Sequence, residues 1–181
     1  MYSKKKVYNF EVADWHTYFV GALLWLVHNA KVCLNNLAKN GVKWAKNILN
    51  GQMFDKIMRK AYGKLNTQIH LVNGKILDAI TSNSFISHKF TQFSDITFKT
   101  AKSYVDEIGK KYASQEAKIT ARITTKVTTK GKKAILEVPP QKVKGEAWDA
   151  IVKYADDAGI EVREISGKTL EVYNKYKKWF F

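Results

Sequence analysis

The spacing of apolar residues changes period several times along the chain, and each change marks an element. Val32, Leu34, Leu37, Ala38, Val42, Ala45, Ile48 and Leu49 recur at helical intervals over 31–50, interrupted at Gly41. Asn50-Gly51 is a turn signal, and a second helix is predicted over 52–62. Its inward face carries Phe54, Ile57, Met58 and Ala61, its outward face Lys56, Arg59 and Lys60, and Gly63 ends it. A strand over 67–72 meets its partner over 75–80 across Asn73-Gly74, a strong hairpin signal. After a polar break over 81–84, a third strand runs over 85–90, with Ser87 and Lys89 on one face and His88 on the other. A helix over 96–112 is capped by Thr97 and buries Ala101, Tyr104, Val105, Ile108 and Tyr112. A buried strand over 134–138 stops at Pro139-Pro140. An amphipathic helix over 146–158 turns Trp148, Ile151, Val152 and Ala155 inward and ends at Gly159. A last strand over 160–165 leads through a turn at Ser166-Gly167-Lys168 into a polar and aromatic tail. This order predicts an α/β fold, a mixed sheet flanked by helices.

The first thirty residues read differently. Alternation over 7–12, then short apolar runs over 17–20 and 24–27, predict three small strands. The basic start and the apolar stretch over 18–27 do not make a signal peptide, because Glu11, Asp14 and His16 intervene. That stretch is also about half the length of a membrane-spanning helix, so no transmembrane segment is expected. His28 directly precedes Asn29, where an imidazole can assist attack of the asparagine amide on its own carbonyl and break the chain.

Composition adds one strong bias. Thirty-one Lys and Arg stand against sixteen Asp and Glu, a net charge of +15, which favours a polyanionic partner: nucleic acid or an acidic protein. The Thr- and Lys-rich stretch over 114–133 is predicted to be a loop or ribbon suited to riding on a phosphate backbone. The single cysteine, Cys33, excludes an internal disulfide framework and a cysteine-based zinc site.

The hairpin concentrates the candidate chemistry. Asp78 lies in one strand and Ser87, His88 and Lys89 in the next, so antiparallel pairing brings an acid near a basic pair. An acid that holds a cation, beside a lysine that steers water or phosphate, suits metal-dependent phosphodiester hydrolysis. Thr91 and Gln92 follow as candidate substrate-binding residues, and Glu137 or Asp55 as a second acid to complete a metal site with Asp78.

Two resemblances bear on these residues. The segment from Val7 through His28-Asn29 resembles the C-terminal end of Hint (hedgehog/intein) domains, which precede toxins in bacterial polymorphic toxins. It implies that His16 and His28 assist cyclisation of Asn29 and release the chain from Ala30 onward, with cleavage as the only outcome. Because the N-terminal half of such a domain is absent, this tail is expected to be an inactive remnant. From about Gly51 to Ile165 the chain resembles the restriction-endonuclease-like (PD-(D/E)xK) toxin domains of polymorphic and contact-dependent toxins. The resemblance rests on Asn73-Gly74-Lys75 with Leu77-Asp78, on 86–92, on Thr100-Ala101 with Tyr104, and on 137–141.

The second resemblance implies a core of order αβββαβ plus αβ. Asp78 becomes the Mg²⁺-binding acid with Glu137, Lys89 stabilises charge on the phosphate, His88 contacts it, and Thr91 and Gln92 bind substrate. Ser84 and Ser87 stand where acids are expected. The implied organisation is 1–29 as the Hint remnant, 30–50 as a helical linker and 51–181 as a nuclease toxin domain. Its substrate would be tRNA or DNA, its partner an acidic immunity protein, and its place of action the target-cell cytoplasm after secretion or surface delivery. The alternatives are an impaired, basic nucleic-acid- or partner-binding module and a metal-independent ribonuclease using histidine and lysine.

Overall fold

The computed structural model describes residues 34–119 and 127–180. The strands predicted before residue 30, together with His16, His28 and Asn29, lie outside the described residues, as does the centre of the Thr/Lys-rich stretch.

A five-stranded mixed sheet is ordered β1-β2-β3-β4-β5, with every strand beside its sequence neighbour. The first three strands, β1 (Thr67–His70), β2 (Ile76–Ile80) and β3 (Ser84–His88), form an antiparallel meander. Strands β4 (Lys133–Val138) and β5 (Ile160–Glu164) then add in parallel. Parallel neighbours need a crossover, and helices α2 (Phe98–Tyr112) and α3 (Glu146–Asp157) supply it. Both pack on one face, where Val105, Ile108 and Ile151 meet Leu77, Phe85, Leu136 and Val138 in the main core. Helices α1 (Lys43–Tyr62) and α4 (Gly167–Tyr176) cover the other face. There Phe54, Ile57 and Met58 pack against Ile165, Leu170 and Tyr173. Strand β3 is buried along its whole length, as a central strand covered by helices on both faces must be.

The predicted elements from 67 to 164 are present with their ends shifted by up to two residues. Thr97 caps α2, its hydroxyl accepting from the Thr100 N–H at 3.2 Å. In the hairpin turn Gly74 takes φ of 80°, while the Asn73 side chain accepts from Lys75 N–H and donates to the Lys111 carbonyl at the end of α2.

Two predictions are corrected. Asn50-Gly51 is no break: α1 runs uninterrupted from Lys43 to Tyr62, so the proposed linker and the first helix of the domain share one helix. A mid-helix glycine costs only about 1 kcal/mol against alanine, and burial of Ala45, Leu49, Phe54 and Ile57 on either side outweighs it. Ser166-Gly167-Lys168 is not a free turn leading to a tail, but the start of α4. The Ser166 N–H donates to the Thr169 hydroxyl at 3.1 Å, satisfying one donor at the helix start.

Candidate active site

The β2–β3 ladder ends at Ala79 opposite Ile86. Beyond it the Asp78 carboxylate takes the place of a backbone acceptor: one oxygen, Oδ2, receives the His88 N–H at 2.8 Å and the Ser87 hydroxyl at 3.2 Å. The hairpin thus brings Asp78 and Ser87 into contact. Ser87, standing where an acid was expected, is fully buried and helps fix the Asp78 carboxylate.

The next residue, Lys89, reaches towards α2. Its Nζ lies 3.0 Å from Glu107 Oε2, and Lys111 holds the other carboxylate oxygen at 2.6 Å. Burial alone would raise the Glu107 pKa, but Lys111 and Lys89 outweigh it and hold the carboxyl below its usual range. The Lys89 side chain stays about a quarter exposed, 5.3 Å from the Tyr104 ring centre. Glu107 is absent from the sequence-based site: its i,i+4 pairing with Lys111 reads as ordinary helix-surface chemistry, and Lys89 lies eighteen positions away. Both Asp78 and Glu107 act on Tyr112, whose hydroxyl is pushed up first by burial and then by these two charges.

Asp55 joins from α1. Its carboxylate pairs with Arg59 at 2.9 Å and accepts from Gln68 Nε2 at 3.2 Å. Burial raises its pKa, Arg59 opposes that rise, and the negative charge of Asp78 adds to it. A carboxylate whose ionisation is disfavoured by a neighbouring negative charge sits where a cation is stabilised.

His88 and Glu137 belong to a different cluster, on the α1 face. They are register partners in the β3–β4 ladder. Glu137 is 1% exposed and both its oxygens are engaged: Tyr62 donates to them at 3.0 and 2.9 Å, and Arg163 reaches Oε1 through Nε at 3.1 Å. His88 Nε2 approaches Oε2 to 3.3 Å, off the line of a hydrogen bond, so neither imidazole nitrogen has a hydrogen-bond partner. Burial would raise the Glu137 pKa, but its neighbours His88, Arg163 and Tyr62 hold it below the usual range. Glu137 is sealed from solvent with its oxygens taken by Tyr62 and Arg163, so it does not fit the role of metal partner to Asp78; the Asp55 carboxylate, also held by Arg59 and Gln68, is 30% exposed. The acid whose ionisation responds to Asp78 is Asp55. Among the described residues no group of three or more His, Cys, Asp or Glu side chains is arranged to hold a metal ion.

Gln92 fastens the chain after β3 to the Pro139-Pro140 turn. Its Nε2 donates to the Pro140 carbonyl and its Oε1 accepts from Lys142 N–H. Gln141 returns the tie, donating to the Thr91 carbonyl and accepting from Phe93 N–H. The Gln92 amide is thereby committed to loop geometry, while the Thr91 hydroxyl makes only a long 3.4 Å contact to the Gln92 carbonyl.

No protein-family profile matches the chain, and no curated protein does. Among solved structures, a CdiA-CT/CdiI toxin and immunity complex from Yersinia pseudotuberculosis is similar at 11% identity and a TM-score of 0.41. The match covers 62% of this chain and 98% of that one. A likeness of that size leaves the functional argument to the residues themselves. No helix among the described residues is long and apolar enough to cross a membrane.

Proposed function

We propose that this chain carries the nuclease domain of a bacterial polymorphic toxin, hydrolysing phosphodiester bonds of tRNA or DNA. The observation that carries the proposal is the junction of β2 and β3. There the Asp78 carboxylate is anchored by Ser87 and the His88 amide, one residue before Lys89 in the chain, and its negative charge is felt by Asp55. The net charge of +15 suits a polyanionic substrate and an acidic immunity partner. The Hint-like tail supports an origin in a larger, delivered effector that acts inside the target cell.

In this proposal Lys89 leaves Glu107 for the phosphate, where fixed positive charge stabilises the transition state most effectively. Glu107 holds that lysine in place until substrate arrives. A divalent cation, Mg²⁺ in the simplest case, would be held by Asp78 with Asp55 and would supply an activated water. His88 and Glu137 brace the sheet behind the site and take no part in the chemistry.

The test incubates the purified protein separately with tRNA and with plasmid DNA, in Mg²⁺ and in EDTA, beside Lys89→Ala. Mg²⁺-dependent cutting that falls about 100-fold or more in Lys89→Ala is the expected outcome. Cutting that persists in EDTA replaces the metal with a metal-independent ribonuclease mechanism. No cutting of either substrate, with salt-sensitive binding intact, leaves a binding module.

A further inference from the structure

The end of α4 and the turn Lys177–Trp179 interleave cations with aromatic rings on the α1 face. Lys60 of α1 stands 4.2 Å from the Tyr176 ring centre, Lys175 5.9 Å from the same ring, and Lys178 5.7 Å from the Trp179 ring. Trp179 is 61% exposed, a large apolar surface that the core does not use. Lys56 lies one helical turn before Lys60 and is exposed, while between Gly167 and Phe180 the only acid is Glu171. Rings connect this surface to the hairpin. Phe180 stacks on Phe90 with centres 4.7 Å apart and planes 6° from parallel, and Phe90 directly follows Lys89.

We infer that Tyr176 and Trp179, with Lys56, Lys60, Lys175 and Lys178, form a platform that binds an unpaired nucleic-acid strand. Lysines track a phosphate backbone of any sequence, and exposed rings stack on bases only where those bases are unpaired. A duplex buries its base faces and gains from the lysines alone. An anionic lipid surface also attracts lysines and tryptophan, but neither discriminates unpaired from paired strands nor depends on stacking. The inference deepens the nuclease proposal by naming the substrate form, and it rests on that proposal only for reading the bound strand as a substrate.

Fluorescence anisotropy on the full chain in EDTA tests it, with a labelled single-stranded oligonucleotide, the same sequence as duplex, and vesicles of anionic phospholipid as probes. Tighter binding of the single strand than of the duplex is expected. Trp179→Ala should weaken single-strand binding about tenfold and leave duplex binding unchanged, with an unaltered circular-dichroism spectrum. Lys175→Ala with Lys178→Ala should lower the salt slope by about 0.7 per lysine. Equal affinity for both strand forms, an unchanged affinity in Trp179→Ala, or vesicle binding that competes away the oligonucleotide would each overturn the platform. Because binding is read without cleavage, a chain that binds single strands but cuts nothing loses the nuclease and keeps the platform. One that cuts while Trp179→Ala binds normally does the reverse.

Discussion

Glu137 shows how much one side chain holds on the α1 face. Its carboxylate joins Tyr62, Arg163 and the neighbouring His88 across α1, β3, β4 and β5. Removing one partner of a buried ion pair leaves the rest unsatisfied, so Glu137→Gln should lower unfolding stability by about 3 kcal/mol in urea denaturation. The pH dependence follows from the same contacts. The folded-state pKa lies below the ordinary value, so this contribution is present above about pH 4.3, the unfolded carboxyl value, and is lost as pH falls through the folded value. Wild type should therefore lose stability on acidification below that point, and Glu137→Gln should show a shallower acid limb in thermal melts. The contact of Asp78 with Ser87 was legible in the hairpin pattern, whereas His88, read into the same group, lies in the Glu137 cluster. Glu107 was not legible, because nothing local distinguishes a lysine partner from a solvated helix glutamate.

At the level of elements, α1 separates what local pattern can specify from what it cannot. Gly63 at its end has φ of 86° and ψ of 154°, backbone space that a side chain enters only with strain. Gly63→Ala should cost about 1–3 kcal/mol. Gly51, mid-helix, has open space around an added Cβ and no positive φ, so Gly51→Ala should stabilise by about 0.5–1 kcal/mol and raise Tm by about 2 °C. Opposite signs for these two glycines, measured by the same melt, would confirm that the helix is continuous. A lowered Tm in Gly51→Ala would restore a break at 50–51. The pattern marked Asn50-Gly51 as a turn because a dipeptide carries no information about distant packing. For the same reason α4 was missed: its start is set by Thr169 beneath Ser166, and its apolar side packs against α1, which lies far away in sequence. The hairpin at Asn73-Gly74 and the Thr97 cap were legible because each is decided within four residues.

Taken whole, the molecule is a sheet with unequal covers. The α2–α3 face holds the larger cluster, whereas the α1 face depends on a smaller one, in which Phe54 meets Phe90 at 5.6 Å and Tyr173 at 6.1 Å. Truncation after Ile165 would strip α4 from Phe54, Ile57 and Met58. At about 1.5–3 kcal/mol for each large apolar side chain returned to water, the shortened chain should bind a hydrophobic dye and unfold at markedly lower urea. Unchanged dye binding would mean that α1 is covered without α4.

The contact between α4 and α1 joins residues more than a hundred positions apart, as the Lys60–Tyr176 bond does. During synthesis, early segments fold as they emerge, yet Phe54 and Met58 have no cover from Leu170 and Tyr173 until almost all of the described chain has been translated. Phe90, next to Lys89, waits equally long for Phe180. A ribosome-bound chain therefore carries the hairpin residues without their finished surroundings. Completion of the cluster around Phe54, Met58 and Phe90 waits for the synthesis of α4 and Phe180.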